Sequence, residues 1–241
     1  MTLESLVQDD DGRLLVQVRG NLSMQEVSGL HVRLMKCLAE QPEALLIDIS
    51  GMRVLDPLAL AVFPAVVRQA AQWPGISVLL CGSSDDTRHV LQAAAYRRVP
   101  VLKNVEQARE RVADERESLP TLTDELLPLS GAARQARNVA TDACLRWDLP
   151  DLVAPASLIA SELVSNVVDH AHTMMNLRLT LTRRYLQISV RDGSAEEPLL
   201  SRNESPDATG GRGLMLVDAT AHAWGWLPCS GGKVTWASLR V

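Results

Sequence analysis

The sequence predicts two domains of different class, an α/β domain over residues 1–117 and an α+β domain over residues 118–241. Two observations predict this division. Strand-like and helix-like segments alternate in the first half, whereas the second half begins with two long helices and continues with strands. Because 241 residues exceed the usual length of one domain, each half is long enough to bury its own core.

The first half alternates apolar or period-2 runs with amphipathic runs. Ser23 is a candidate N-cap of the first helix, and Asp56 followed by Pro57 is typical of a helix start, since proline needs no hydrogen-bond partner at the first helical position. In chain order the predicted elements are strand RLLVQVRG, helix SMQEVSGLHVRLMKCLAE, strand ALLIDIS, a helix begun at Asp56, strand ISVLLCG, helix SDDTRHVLQAAA, strand VPVL and helix NVEQARERVADERE. The short connections favour helices packed on a mixed sheet.

A charged, proline-containing segment, ADERESLPTLTDELLPLSG, interrupts this alternation and predicts the domain boundary. The elements predicted beyond it are helices over 128–147 and 151–173, strands NLRLTLTRR and YLQISVRDG, a polar loop over 193–209, a glycine-rich turn, a short helix, and strands HAWGWLP and KVTWASLRV. Helices followed by antiparallel strands predict a sheet with one face covered by helices.

Composition excludes several classes of function. Apolar residues make up 46% and charged residues 22% of the chain, as in ordinary globular proteins. The net charge of −5 disfavours direct nucleic-acid binding, which needs a cationic face. The apolar runs are shorter than the roughly 20 residues that span a bilayer, and the N-terminus does not have the pattern of a signal peptide, so we expect a cytoplasmic protein without a membrane segment. The cysteines, Cys37, Cys81, Cys144 and Cys229, lack the spacing of a zinc site or a disulfide set, and we expect reduced thiols.

A polar stripe lies on the second predicted helix of the second half. Glu162, Asn166, Asp169 and His170 recur at spacings of three and four residues, opposite an apolar face. Such a stripe is most often a solvated face. This one contains no lysine or arginine, however, and an asparagine oxygen one turn from a carboxylate suits Mg²⁺ and phosphoryl chemistry.

Two glycine-containing motifs follow this helix. VRDGS ends a strand at Asp192, where a carboxylate before Gly193 can accept hydrogen bonds from a ligand. TGGRGLML places Gly211 and Gly213 at the start of an apolar helix, where backbone N–H groups can meet a phosphate. Either motif alone is weak evidence, but their order after a Glu-x-x-x-Asn helix is more specific.

The three motifs SELVSNVVDHA, VRDGS and GGRGLMLV resemble the N box and the two glycine boxes of the anti-sigma-factor serine kinases. That family has the Bergerat-type (GHKL) ATP-binding fold, which gyrase, Hsp90 and sensor histidine kinases share. The resemblance covers roughly residues 120–241. The sequence departs from it where the first glycine box lacks its usual further glycines and where the following segment is acidic.

The resemblance implies a role for each matching residue. Glu162 would be the general base toward a protein serine hydroxyl, Asn166 would hold Mg²⁺, and Asp192 would receive the adenine amino group. Gly211 and Gly213 would shape a lid over the phosphates. The implied ATP-binding residues are Asn166, Asp192, Gly193, Gly211, Arg212, Gly213 and Thr235.

In the first half, ALLIDISGMRVLDPLALAVFPAV resembles the STAS domain of anti-sigma-factor antagonists over about residues 5–115. In that family a phosphorylated hydroxyl lies two residues after the aspartate that opens the helix. Here Asp56 is followed by Pro57 and Leu58, and leucine has no hydroxyl to phosphorylate. Ser50 is the nearest hydroxyl, and we interpret it as a turn residue.

Together the two resemblances imply a bacterial partner-switching regulator that uses ATP and Mg²⁺. Its kinase domain would phosphorylate a separate antagonist, sequester a sigma factor, or do both, and homodimers are possible. The altered STAS domain would be either an unswitchable antagonist or pseudosubstrate, or a dimerisation or sensory module. The alternative is a non-catalytic scaffold. A sensor histidine kinase is less favoured, because no helix pair with a phosphoacceptor histidine precedes the ATPase-like half.

Overall fold

A computed structural model describes residues 2–92, 99–114, 119–198 and 213–241. The chain divides into two compact units, Met1–Glu117 and Ser118–Val241. Within these described residues, each unit has its own sheet of five strands. The predicted classes, α/β and then α+β, are confirmed.

The sheet of the first unit is mixed, as expected. Its strands are β1 (Glu4–Asp10), β2 (Arg13–Leu22), β3 (Ala44–Val54), β4 (Ser77–Cys81) and β5 (Val101–Leu102), in the order β1-β2-β3-β4-β5. β1 pairs with β2 in antiparallel fashion, and the remaining pairs are parallel. The α-helices described in this unit are α1 (Met24–Ala39), α2 (Val62–Gln72), α3 (Asp85–Gln92) and α4 (Val105–Asp114). Residues 93–95, the end of the predicted helix SDDTRHVLQAAA, lie outside the described residues.

Two predicted helix starts are confirmed by their caps. Ser23 and Glu26 form a reciprocal capping box at the start of α1. Asp56 Oδ1 accepts a hydrogen bond of 2.9 Å from the backbone N–H of Leu58. The helix that follows begins as a 3₁₀ turn, Pro57–Ala61, before continuing as α2.

The predicted turn at Ser50 is wrong. β3 continues through Ser50 and Gly51, with the register to β2 shifting between Gln17 and Arg19. Two residues of β3 therefore lie opposite one residue of β2, which is a β-bulge. The Ser50 backbone N–H donates to Asp48 Oδ1 at 2.9 Å, a local bond that resembles the one found in turns.

The second unit is a sheet with helices on one face. Its strands are β6 (Thr121–Leu126), β7 (Met175–Leu181), β8 (Tyr185–Asp192), β9 (Ala223–Cys229) and β10 (Gly232–Arg240), all antiparallel, in the order β6-β7-β8-β10-β9. The helices are α5 (Ala132–Arg146), a 3₁₀ turn (Pro150–Leu152), α6 (Val153–Asn166), a π-helical turn (Val167–Ala171) and α7 (Gly213–Thr220). The core includes Leu177, Ile188 and Val190 from the strands with Ile159 and Leu214 from the helices. Full burial of each such side chain contributes about 1.5–3 kcal/mol.

The predicted linker contains a strand. β6, within TLTDELL, pairs along its whole length with β7. Leu126 is buried in the core and Leu122 packs against it, whereas Thr121, Thr123 and Glu125 are exposed. An edge strand keeps one polar side toward solvent, so the segment has the composition of a loop.

Among the described residues, one continuous helical stretch, Pro150–Ala171, is long and apolar enough to cross a membrane by length and composition. This stretch contains α6, whose residues Ile159, Leu163 and Val164 are buried in the core of the second unit.

Candidate functional site

Helix α6 carries Glu162 and Asn166 one helical turn apart. Its apolar residues, among them Ile159 and Leu163, are buried against the sheet and fix the orientation of the helix. Glu162 and Asn166 are both partly buried. The predicted polar stripe is therefore only partly solvated at these two residues.

Burial raises the pKa of the Glu162 carboxyl above its ordinary value of 4.5. Arg137 of α5 lowers this pKa, and Asp169, about two helical turns further along the chain, raises it. A carboxylate with a raised pKa is a better proton acceptor than an exposed one. A raised pKa is one property that is expected of a general base.

The first residue of α7 lies against the Glu162 side chain. A Cβ atom built on Gly213 would be 2.6 Å from Glu162 Oε2, closer than real Cβ contacts. The structure therefore brings the end of the GGRGL motif to the glutamate of α6. Gly211 and Arg212, for which the sequence also predicts a ligand role, lie outside the described residues.

A π-helical turn ends the α6 segment, which the sequence predicts to be regular as far as residue 173. Val167–Ala171 form this turn immediately after Asn166, and His172 closes it with a left-handed backbone, φ 53°. The next residue, Thr173, accepts a 2.9 Å hydrogen bond at Oγ1 from the backbone N–H of Gly193. This bond ties the end of the helical segment to the Asp192–Gly193 motif. Single π turns within helices are frequent at functional sites.

Asp192, the last residue of β8, is buried and paired with a lysine. Its Oδ1 accepts a 2.9 Å hydrogen bond from Lys233 Nζ and a 2.8 Å hydrogen bond from the Ser194 backbone N–H. The Asp192 side chain is 0% exposed and that of Lys233 4%. Asp192 Oδ2 is buried and has no hydrogen-bond partner among the described residues.

Thr235 lies two residues beyond Lys233 on β10 and is also buried. Side chains two apart on a strand lie on one face of the sheet, and Lys233 pairs directly with Asp192. Within the described ranges, Thr235 Oγ1 is likewise buried without a partner. Buried polar atoms are normally hydrogen-bonded, so two orphaned oxygens on neighbouring strands fit a site that a polar ligand completes.

Sequence reasoning missed Lys233 and Thr173. In the strand KVTWASLRV, alternation of side chains places Lys233 on the same face as Thr235, Ala237 and Leu239, which are buried. A lysine on the buried face of a strand is the sequence signal that could have identified it. Nothing in the local sequence pairs Thr173 with Gly193, because their contact depends on the fold.

In the first unit, the loop that lacks the expected hydroxyl is exposed. Leu58 is 70% exposed and Leu55 is 55% exposed. Asp56 is used as the cap of the 3₁₀ turn, and Pro57 is its first residue. The structure thus presents an apolar surface at the position where the sequence resemblance leads us to expect a phosphorylated residue.

Comparison with known families identifies both units. A model of the STAS domain matches residues 4–109, and a model of the histidine kinase-like ATPase domain matches residues 128–236. The protein therefore combines a STAS domain with a histidine kinase-like ATPase domain. The latter class implies nucleotide binding.

Several solved structures are similar to part of the chain. An anti-sigma factor antagonist from Mycobacterium paratuberculosis is 22% identical, over 47% of this chain and 96% of that one, with a TM-score of 0.42. The Bacillus cell fate determinant SpoIIAA in its phosphorylated form is 13% identical, over 45% of this chain and 99% of that one, with a TM-score of 0.35. The STAS domain of an antisigma-factor antagonist from Rhodobacter sphaeroides is 18% identical, over 34% of this chain and 85% of that one, with a TM-score of 0.29. No curated protein matches the chain.

Proposed function

We propose that this protein is a cytoplasmic partner-switching regulator whose ATPase-like domain binds ATP and Mg²⁺ and phosphorylates a serine or threonine of an anti-sigma factor antagonist. The combination of a STAS domain with a histidine kinase-like ATPase domain fits a regulator of this type. The proposed partners are proteins, namely an antagonist with a STAS domain, a sigma factor held by sequestration, or both. A homodimer is compatible with this role, and neither nucleic acid nor membrane is part of the proposal.

One observation carries the kinase assignment. Glu162, whose pKa is raised by burial, lies one helical turn from Asn166 and directly against Gly213. Phosphoryl transfer from ATP to a hydroxyl needs a proton acceptor beside the group that binds the metal and phosphates. When bound, Mg²⁺ would neutralise charge on the phosphates, and Asn166 would hold it.

In the proposed reaction, the carboxylate of Glu162 accepts the proton of the substrate hydroxyl. The hydroxyl oxygen forms a bond to the γ-phosphorus, and the bond from that phosphorus to the bridging oxygen breaks, which releases ADP. Gly213 leaves space at the carboxylate, since a Cβ there would occupy the position next to Oε2. Gly211 and Arg212 are proposed to complete the phosphate-binding segment.

The residues around Asp192 support the proposal that ATP is the nucleotide. Its buried Oδ2, and Oγ1 of Thr235, have no partner within the part of the chain that the structure describes. An adenine base offers an amino donor and ring-nitrogen acceptors to such atoms. Gly193, held by Thr173, would border this site.

The STAS domain is proposed to modulate the kinase without being phosphorylated at its usual position. Phosphorylation switches an interface by adding nearly two negative charges. Leu58 has no hydroxyl to phosphorylate, so the loop formed by Asp56, Pro57 and Leu58 cannot gain these charges at that position.

The test is phosphoryl transfer to a STAS protein that has a serine at the position of Leu58. Wild-type protein with labelled ATP and Mg²⁺ is expected to transfer phosphate, and E162Q, which keeps the size of the side chain but cannot accept the proton, is expected to lose transfer by about 10²- to 10⁴-fold while retaining ATP binding. E125Q, at an exposed carboxylate of β6, is the matched control. ATP binding without transfer to any such partner would refute the kinase assignment.

A second candidate function is a non-catalytic scaffold that binds proteins through both domains. Two observations favour it, the absence of a hydroxyl at Leu58 and the absence of further glycines in the first glycine box, where Gly193 is followed directly by Ser194, Ala195 and Glu196. Calorimetry with ATP and Mg²⁺ separates the candidates, because a scaffold of this kind would show no heat of nucleotide binding.

A further inference from the structure

Helix α7 presents two large apolar side chains to solvent. Its buried residues, Leu214 and Val217, pack into the core of the second unit. On the side away from the core, Met215 and Leu216 are 50% and 44% exposed. We call these two residues the α7 face. A surface helix normally turns charged or polar residues toward water, so a pair of large apolar residues in this position indicates a contact surface.

The exposed side of α5, in the same unit, has the ordinary polar composition. Its exposed residues include Arg134, Gln135, Arg137 and Asn138. In α7 the one charged residue is Asp218, whose Oδ1 accepts a 2.7 Å hydrogen bond from Trp224 Nε1 of β9. This bond helps to fix α7 on the sheet. The α7 face itself has no charge, which suits it to an apolar partner.

The α7 face lies within one helical turn of the residue that touches the proposed general base. Gly213, the first residue of α7, lies against the Glu162 carboxylate. Leu216 follows Gly213 by three residues, and residues three apart are neighbours on a helix surface. Their separation along the helix axis is about 4.5 Å. A protein whose hydroxyl reaches Glu162 must therefore lie close to the α7 face.

The STAS loop of this chain shows what chemistry an acceptor loop can offer to such a face. Leu55 and Leu58 are both exposed, whereas Asp56 between them caps the 3₁₀ turn. Three residues separate position 55 from position 58, a span of at most about 10 Å. When a hydroxyl at position 58 lies at Glu162, an apolar side chain at position 55 is thus within reach of the α7 face.

We propose that the α7 face is the docking surface for the acceptor loop of a STAS protein, and that the loop contacts it through the apolar residue three positions before the phosphorylated one. The proposal rests on the proposed kinase function and deepens it by naming how the protein substrate is recognised. Its basis is the position of two exposed apolar residues, Met215 and Leu216, beside the glycine that touches Glu162. Removal of apolar surface from water on both sides of the contact supplies the affinity.

The test uses two full-length molecules. The acceptor is L58S combined with E162Q, which has a hydroxyl but lacks its own base. The enzyme is the wild-type protein, which has no hydroxyl at position 58, so phosphate passes only from one molecule to the other. With ATP and Mg²⁺, the double variant M215S/L216S of the enzyme is expected to raise the KM for the acceptor about 10- to 100-fold. Its kcat, and its affinity for ATP measured by calorimetry, should stay within about threefold of the wild-type values.

The matched control is L145S in the enzyme. Leu145 is also an exposed leucine of the second unit, but it lies at the end of α5. The hydroxyls of Thr141 and Ser157 are 3.0 Å apart, which places this end of α5 beside the start of α6, away from Glu162. L145S is therefore expected to leave the KM for the acceptor unchanged.

A substitution in the acceptor tests the same contact from the other side. L55S, added to the acceptor, is expected to raise the KM of the wild-type enzyme and to have little further effect on the M215S/L216S enzyme, because residues in direct contact are not additive. L55S leaves α7 of the enzyme intact, so it decides the case even where M215S/L216S does not fold. Thermal unfolding of each variant detects a loss of fold.

Each outcome has one meaning. An unchanged KM in M215S/L216S, a loss of ATP affinity equal to the rise in KM, or fully additive effects of M215S/L216S and L55S would overturn the docking surface and leave the kinase assignment standing. So would transfer to another STAS protein but none to the L58S acceptor. Absence of transfer to either acceptor, with ATP bound, would overturn the kinase assignment and the docking surface together.

Discussion

At the scale of single residues, the proposed chemistry depends on how burial changes a few polar side chains. Glu162 acquires a raised pKa because it is partly removed from water. Asp192 is matched by a lysine that is almost as buried as itself. Leu58, by contrast, is exposed and uncharged. The resemblance of its loop to that of the STAS domain leads us to expect a hydroxyl at this position. Each property follows from the position of the residue in the fold as well as from its type.

We predict a pH dependence that originates at Glu162. Because its folded-state pKa lies above 4.5, the folded protein binds this proton more tightly than the unfolded chain. The resulting stabilisation is fully present below pH 4.5 and is lost as the pH rises through the folded-state pKa. The unfolding free energy of the wild-type protein relative to E162Q should therefore fall across this window, and denaturant titrations at several pH values measure it.

Phosphoryl transfer should show the opposite trend in the same window. Transfer needs the deprotonated carboxylate, so its rate should rise with pH through the raised pKa. E125Q, compared with the wild-type protein in both measurements, controls for the loss of one negative charge in the same unit. If the difference in unfolding free energy between the wild-type protein and E162Q did not change with pH, the raised pKa of Glu162 would be contradicted.

At the scale of elements, two glycines allow neighbouring elements of the candidate site to pack closely. Gly232, at the start of β10, lies against the end of β8, and a Cβ there would be 1.9 Å from the carbonyl oxygen of Asp192. Gly213, at the start of α7, has the corresponding relation to Glu162. The register of β10 on β8, and with it the Lys233–Asp192 pair, thus depends on a residue without a side chain.

We predict that G232A destabilises the protein by roughly 1–3 kcal/mol, because backbone atoms must move to admit the methyl group. Thermal or denaturant unfolding measures this loss. The matched control is G29A, since Gly29 lies within α1 and has nothing within 4 Å of the added atom. G29A is expected to stabilise by about 0.5–1 kcal/mol through helix propensity. Equal stability of the two variants would contradict the close packing of β10 on β8.

At the scale of the whole molecule, a STAS domain and a histidine kinase-like ATPase domain occur in one chain. The STAS domain is part of the same chain as the proposed kinase domain. Because residue 58 is a leucine, however, the STAS domain has no hydroxyl there that the kinase could phosphorylate. The rest of the loop retains its helix-capping aspartate, Asp56. The exposed Leu58 is therefore the residue at which the combination of domains can be tested directly.

We predict that L58S becomes phosphorylated when the protein is incubated with ATP and Mg²⁺. The substitution supplies a hydroxyl at an exposed position, one residue before the first buried residue of the 3₁₀ turn. Mass spectrometry of the loop peptide should find an added phosphate in L58S. It should find none in L58A, and none in L58S combined with E162Q. Absence of modification in L58S, while a separate STAS protein is phosphorylated, would show that more of the acceptor site than the hydroxyl has changed.

The sequence predicted the classes of both domains, most of the helices and strands, and the helix caps at Ser23 and Asp56. These features are local, because hydrophobic periodicity and capping depend on residues a few positions apart. It failed at the edge strands β1 and β6 and at the β3 bulge. An edge strand with one solvated side has the composition of a loop, and the bulge follows from the pairing with β2.

By itself, the sequence determined that Glu162 and Asn166 share a helix face, that Asp192 ends a strand, and that Leu58 has no hydroxyl. Only the tertiary structure decided that Gly213 meets Glu162, that Thr173 binds Gly193, and that Lys233 pairs with Asp192. The reason is physical. These contacts join residues 20 to 51 positions apart, and strand register and helix packing, which bring them together, are set by burial of the whole core.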